Sequence, residues 1–277
     1  MSLISAIFLG LVQGVAEFLP ISSSGHLSVL QNIFNMTTAE EGHMLFDVML
    51  HLGTVIAIVV AYWVDIKYIV RDSLAFLRDS RGTSAESLRD YSGARFLLML
   101  IFGSLPLFLV LPVNDSIEQL YYFTGFIGAA FLLTGCMLWV SDRIAPGEKT
   151  ERNMRVRDAL LIGVCQAIAT IPGISRSGAT ITAGIATGQS REYAMKYSLL
   201  MSVPAVLGAN FLSLIKALKN GAEWSSLPVY FVGMVVAMVS GYGCIMLLQR
   251  MVRNGKFGKF AYYLWGVGIL TLILSLF

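Results

Sequence analysis

Two short polar segments carry most of the residues able to do chemistry in an otherwise apolar chain: SSSGH, with Ser22, Ser23, Ser24 and His26 just after Glu17, and GISRSGAT, with Ser175, Arg176, Ser177 and Thr180. A guanidinium stays protonated and presents a planar fork of donors that matches phosphate or carboxylate oxygens. Arg176 stands in a Ser-Arg-Ser-Gly turn that opens a helix, where free backbone N–H groups also favour an anion. Its structural alternative is an ion pair with Glu17 or Asp47 that pins two parts of the chain together, but that would leave the hydroxyls of Ser175, Ser177 and Thr180 without a purpose. Serine is a poor nucleophile until a base takes its proton, and the first segment offers a carboxylate and an imidazole. Its bland reading is that Ser22 to Ser24 cap a helix while His26 satisfies a buried polar neighbour. Gln13 and Glu17 are four apart and share a helix face, where their oxygens could hold a hard divalent cation, Mg²⁺ or Ca²⁺, between protein and phosphate. Asp47 and His51 are also four apart and would face the same cavity as a supporting layer, although a hydrogen-bonded core histidine fits His51 as well.

The elements that must position these groups are membrane helices. The chain of 277 residues is 56% hydrophobic and 13% charged, against about 25% charged in soluble domains, so an all-α, polytopic integral membrane protein is expected. Crossing about 30 Å of hydrocarbon takes about 20 apolar residues. Six segments meet that length: about 45–64, 96–113, 120–140, 194–215, 228–248 and 260–277. Two further apolar pieces, 3–19 and 158–171, run into Pro20 with Ser22 to Gly25 and into Pro172 and Gly173 with Ser175 to Gly178. Proline and glycine end helices, and backbone freed at membrane depth is tolerated only beside protein or a wet cavity, so these pieces read as re-entrant helix pairs.

A shift of 153 residues lays Gly10 on Gly163, Gln13 on Gln166, Ser22 on Ser175, Ser24 on Ser177 and Gly25 on Gly178. The reading is therefore one membrane domain over 1–277 built of two inverted repeats: 1–140 with a re-entrant pair at about 3–34, and 141–277 with one at about 158–190. Basic residues concentrate in the connections 65–95, 141–157 and 249–259, which places these on the cytoplasmic side. The mixed charges of 65–95 suit an amphipathic surface helix. Because the basic residues serve orientation, no nucleic-acid partner is implied by the net charge of +3. Cys136, Cys165 and Cys244 lack metal spacing, and packing is their expected role. The pairs Gly10/Gly14 and Gly184/Gly188 could pack helices within one chain or between two, which leaves a homodimer open.

The strings QGVAEFLPISSSGH at 13–26, FDVMLHLGT at 46–54 and PGISRSGAT at 172–180 resemble the signature segments of the undecaprenyl-diphosphatase family, the bacitracin-resistance proteins, and the resemblance runs over the whole chain. It implies a hydrolase of the bacterial plasma (inner) membrane that converts undecaprenyl diphosphate, the spent lipid carrier of cell-wall synthesis, into undecaprenyl phosphate and inorganic phosphate on the outer side. By position, the resemblance assigns the family's glutamate-rich segment to Gln13 and Glu17, its nucleophile to Ser23, its histidine to His26, and its phosphate-binding segment to Ser175, Arg176, Ser177 and Thr180, with Ser22 and Ser24 expected to add phosphate-binding hydroxyls. Gln13 stands where some relatives carry glutamate, which leaves Glu17 as the better candidate for metal or base work. Two attackers fit these residues, Ser23 or a water molecule. A lipid flippase or transporter on the same scaffold is the competing reading, since transport needs a binding site but no nucleophile. Acid-phosphatase-like lipid phosphatases need a later Arg-His-Asp arrangement, and no histidine follows His51.

Overall fold

Proline, glycine and capping hydroxyls decide where the helices of this chain start and stop. The computed structural model describes residues 1–33, 44–79, 88, 90–145, 147–219 and 224–276. Among these the helices are α1 (Leu3–Phe18), α2 (Ser23–Ile33), α3 (Met44–Ala61), α4 (Trp63–Asp79), α5 (Ser92–Ser104), α6 (Asn114–Leu120), α7 (Thr124–Ser141), α8 (Val156–Ile168), α9 (Arg176–Ala186), α10 (Arg191–Lys219), α11 (Leu227–Arg253) and α12 (Phe260–Leu274). The protein is all-helical, and the β-type pairing among the described residues is an isolated bridge between Lys149 and Gln189.

Among the described residues, five helical runs are long and apolar enough to cross a membrane: Ser92–Leu120, Thr124–Ser141, Arg191–Lys219, Trp224–Arg253 and Phe257–Leu274. A sixth is obtained when α3 and α4 are taken as one span bent by 77°. The chain is thus a multi-pass membrane protein. The bend falls at Tyr62, where the sequence turns from apolar to charged, and α4 buries only Ile69 and Ser73. Arg81, Glu86 and Arg89 of the same connection lie outside the described residues, as does residue 34 at the end of the first expected re-entrant pair. The segment 114–119, which falls between the expected spans at about 96–113 and 120–140, is helical: Pro106 and Pro112 tighten the chain into 3-10 turns that carry α5 on into α6. A proline at the first turn of such a segment has no N–H to lose, so it redirects the helix without ending it.

By contrast α1, α2, α8 and α9 hold 16, 11, 13 and 11 residues, or about 16–24 Å at about 1.5 Å per residue, which is short of a full crossing. α1 ends at Leu19, whose extended φ −63°, ψ 141° is what a following proline demands. α9 begins at Ser175, whose Oγ accepts the Gly178 N–H at 3.1 Å. A clasp closes the base of the α8–α9 hairpin. Lys149 N donates to Gly188 O and Ser190 N to Lys149 O, both at 3.0 Å, while Lys149 Nζ reaches Thr187 O at 2.6 Å and Asp158 at 2.9 Å.

Small residues let these helices approach closely. α1 lies along α11, where a Cβ on Gly10 would stand 2.5 Å from Gly233 O and one on Gly14 2.5 Å from Ala237 O. That glycine pair is therefore used inside the chain. Gly188 serves a different purpose, turning the chain after α9 at φ +90°. α8 lies against α5, α7 pairs with α12, and α3 packs against both α10 and α11. Phe18, Phe131, Leu138, Ile181 and Leu199 join one apolar core around the two hairpins. Cys165 and Cys244 are half-buried, but Cys136 is exposed on α7 and so does not pack inside the chain as expected. At membrane depth an apolar thiol meets lipid at no penalty, so the outer face of a span does not exclude it.

Candidate active site

The two polar turns meet. A Cβ on Gly25 would fall 2.8 Å from Gly173 Cα, so the backbones of the two turns touch with no room for a side chain between them. Around that contact, Arg176 Nη2 forms an ion pair with Glu17 Oε1, and Gln13 Nε2 donates to Glu17 Oε2 at 3.2 Å. Glu17, not Asp47, is thus the partner of the guanidinium. Its carboxylate is buried, at 7% side-chain exposure, whereas the Arg176 side chain keeps 29%. Ser177 Oγ donates to Phe18 O at 3.3 Å and lies 3.3 Å from Ser175 Oγ, which ties the second turn to the end of α1. A carboxylate and guanidinium at membrane depth neutralise one another, which is how such charges are tolerated there.

The second turn is held from behind by α7. Thr134 Oγ1 donates to Gly173 O at 3.0 Å and accepts from Ser175 N at 3.3 Å, so one buried hydroxyl satisfies both backbone groups that the break in the hairpin leaves free. Thr180 Oγ1 donates to Arg176 O at 2.8 Å and lies 2.5 Å from Ser198 Oγ on α10. Glu17, Arg176, Ser177, Ser198 and Ser202 line a cavity of about 10 Å³ with an apolar floor of Phe18 and Leu199, room for about one water molecule. A larger cavity of about 410 Å³, lined by Tyr62, Lys196, Gln249 and Arg253 among others, holds none of the residues singled out from the sequence.

The first turn is arranged differently. Ser22 caps α2 through a 3.4 Å contact from Gly25 N, but it does so with φ +65°, a left-handed conformation unusual for serine. Ser23 opens α2 and is half-buried. Ser24 shares a side-chain hydrogen bond with Tyr121 and accepts Ser28 Oγ on its carbonyl at 2.9 Å. His26 Nδ1 lies 2.9 Å from Ser22 O and Nε2 lies 2.9 Å from Tyr263 OH. A carbonyl only accepts, so Nδ1 carries the proton and Nε2 of the neutral ring accepts from Tyr263. The ring packs 4.7 Å from Phe131 and lies nearly parallel to Tyr263 at 5.7 Å. Both nitrogens are thus engaged, and neither is free to take a proton from Ser23 in this arrangement. His51 Nδ1 is bound to Asp47 O at 2.9 Å, and the ring lies within electrostatic reach of Glu17.

Of the residues singled out from the sequence, Gln13, Glu17, Ser175, Arg176, Ser177 and Thr180 form one connected cluster, His51 lies near it, and Ser24 and His26 engage other helices. Thr134, Ser198, Ser202 and Tyr263 are the additions. The spacing of Ser198 and Ser202, one turn apart on a span that also holds Pro204, is the sequence signal that could have found two of them.

A family model described as Bacitracin resistance protein BacA matches residues 6–270. The chain belongs to that family. Among its relatives are the undecaprenyl-diphosphatase of Methanosphaera stadtmanae, 37% identical over 99% of both chains, and that of Carboxydothermus hydrogenoformans, 36% identical over 99% of this chain and 98% of the relative. The undecaprenyl-diphosphatase of Halothermothrix orenii is 36% identical over 99% of both. BacA-family membership fits the match of the three signature strings.

Proposed function

We propose that the protein hydrolyses undecaprenyl diphosphate to undecaprenyl phosphate and inorganic phosphate, and so returns the lipid carrier to cell-wall synthesis and confers bacitracin resistance. The names of full-length relatives support the activity. The observation that carries it is a half-buried guanidinium at the start of α9, among Ser175, Ser177 and Thr180, with a buried carboxylate as its resting partner. Phosphoryl transfer asks little of a protein beyond positioning and charge stabilisation, and an arginine at a helix N-terminus supplies both.

The resting hollow is too small for a phosphate, so entry of the terminal phosphate parts Arg176 from Glu17. Arg176 then grips the phosphate oxygens while the hydroxyls of the second turn orient them. Glu17, released beside the first turn, becomes the base that takes the proton of the attacking hydroxyl. Ser23 is the attacker by position; its Oγ bonds to the terminal phosphorus as the bond to the bridging oxygen breaks, and water later frees the phosphate. If Ser23→Ala keeps most of the activity and no phosphate can be trapped on serine, water attacks directly. His26, held by Ser22 and Tyr263, shapes the first turn.

A divalent cation, Mg²⁺ or Ca²⁺, belongs to the same proposal. Among the described residues no three acidic, histidine or cysteine side chains cluster, so an all-protein cage is not what the donors offer. Gln13 and Glu17 do place an amide and a carboxylate side by side, and with the amide turned its oxygen joins Glu17, the sparse donor set of a magnesium site completed by phosphate and water. When bound, such an ion neutralises phosphate charge.

The scaffold we propose is two inverted repeats, with the site where they meet, open to the extracytoplasmic leaflet of the plasma membrane. Helix starts support it: Leu3 and Val156 open α1 and α8, Ser23 and Arg176 open α2 and α9, each pair 153 apart, the shift that also aligns the motifs. The first helix of each hairpin also packs on a span of the other half, α1 on α11 and α8 on α5. The deciding experiment is phosphate release from undecaprenyl diphosphate by purified protein in detergent, expected to fall by at least about a thousandfold in kcat/KM on Arg176→Ala. Transport alone predicts no release from the native protein.

A further inference from the structure

We propose that Ser198 and Ser202 on α10 are phosphate-binding residues, forming a third wall of the site opposite the second turn; this rests on the hydrolase reading above and deepens it. The ligand class is a tetrahedral phosphate, either the terminal group of the lipid diphosphate or the inorganic phosphate it becomes.

Both serines are buried, at 3% and 6% exposure, and both line the hollow that holds Arg176 and Glu17. They are one helical turn apart on the same face of α10. Their hydroxyl protons are parked on internal acceptors. Thr180 spends its one proton on Arg176 O at 2.8 Å, so the 2.5 Å contact between Thr180 and Ser198 takes its proton from Ser198. Ser202 donates to Leu199 O at 2.8 Å within its own helix. Each bond is neutral, and rotating the hydroxyl towards a phosphate oxygen exchanges it for a charge-assisted bond of roughly twice the strength. Leu199 O and Thr180 Oγ1 lose little, because the first belongs to the helix ladder and the second keeps its own bond to Arg176 O.

Pro204 gives this wall freedom to move. It offers no N–H to Leu200 O, which lies between the two serines, so α10 can bend at their level. A hollow that now holds about one water needs such a movable side to admit a phosphate. Arg176 and the second turn therefore grip the phosphate from one side and α10 closes on it from the other.

The test uses the full chain purified in detergent, with two readings: the concentration of inorganic phosphate that raises its thermal midpoint, and KM for undecaprenyl diphosphate with inorganic phosphate as a competitive inhibitor. Ser198→Ala/Ser202→Ala is expected to raise the phosphate requirement, KM and the inhibition constant together by about tenfold or more. Ser240→Ala on α11, where a serine likewise donates within its own helix at 2.7 Å, is expected to change none of them. If Ser198→Ala does not fold, Ser202→Ala removes only a bond internal to α10 and gives the same reading. Phosphate dependence equal to native in the double variant, while Arg176→Ala needs far more phosphate, overturns the role of α10 and leaves the hydrolase standing. No phosphate response and no release by native protein overturns both.

Discussion

The two turns share a pattern of serine and glycine, yet the protein holds them in opposite ways. The second, at 172–180, is braced: Thr134 satisfies its free backbone groups, Ser175 caps α9 in an extended conformation, and Gly173 at φ +90° is wedged under α7. The first, at 19–26, is held more loosely. Ser22 is forced to φ +65°, its cap contact stretches to 3.4 Å, and His26 reaches out to a tyrosine on α12. On the proposed mechanism, the half that would clamp charge is the braced one, and the half that would deliver an attacking oxygen holds the strained Ser22. Electrostatic stabilisation works only when donors are fixed beforehand, whereas an attacker must move as a bond forms.

Substitutions can break that contrast or sharpen it. Gly173→Ala is expected to do most harm, because a Cβ there would stand 2.6 Å from Ala130 Cβ and 2.8 Å from Ile127 O at a φ that side chains avoid; a loss of about 3 kcal/mol or more, read by thermal unfolding in detergent, is expected. Thr134→Val strands the Gly173 carbonyl and the Ser175 N–H inside the protein, a cost of about 1–3 kcal/mol together with lower phosphate release. Tyr263→Phe is the matching test on the first turn. Because Tyr263 is 46% exposed, His26 can replace its hydroxyl with another donor, and a change under about 1 kcal/mol with a modest fall in kcat is expected. Equal damage from Thr134→Val and Tyr263→Phe would erase the distinction between braced and loose turns. Smallest and opposite in sign is the glycine pair: Ser22→Gly relieves a left-handed serine and should leave the protein as stable or up to about 1 kcal/mol more so, whereas Ser175→Gly forfeits a sound cap and should lower stability by a few tenths.

Much of this site could be read before the fold was seen, and the reason is physical. Pro20, Pro172 and Gly173 act on their own backbone, so the breaks in both hairpins were legible. Glu17 and Arg176 are lone charges in apolar surroundings, and such charges find each other; the sequence argued against that pair because the hydroxyls would lack a purpose, yet Ser175 caps α9, Ser177 bonds Phe18 O and Thr180 bonds Arg176 O. The break near Tyr62 was legible as the point where the apolar span at about 45–64 gives way to the mixed charges of 65–95, but its angle of 77° was not, since no proline or glycine marks it. Thr134 was hidden because a hydroxyl on an apolar span can always bond its own helix; Ser198 and Ser202 differ only in their one-turn spacing beside Pro204, a signal that marks a shared face but not which cavity it lines. His26 was legible as a polar group but not as Tyr263's partner, which lies 237 residues away.

Interrupted helices at membrane depth are also weak points in a permeability barrier. With the guanidinium and carboxylate joined, the resting hollow has room for about one water, too few for the continuous file along which protons hop. On the proposed mechanism, the contact that substrate would part is therefore also the one that keeps this hollow nearly dry while the site is empty.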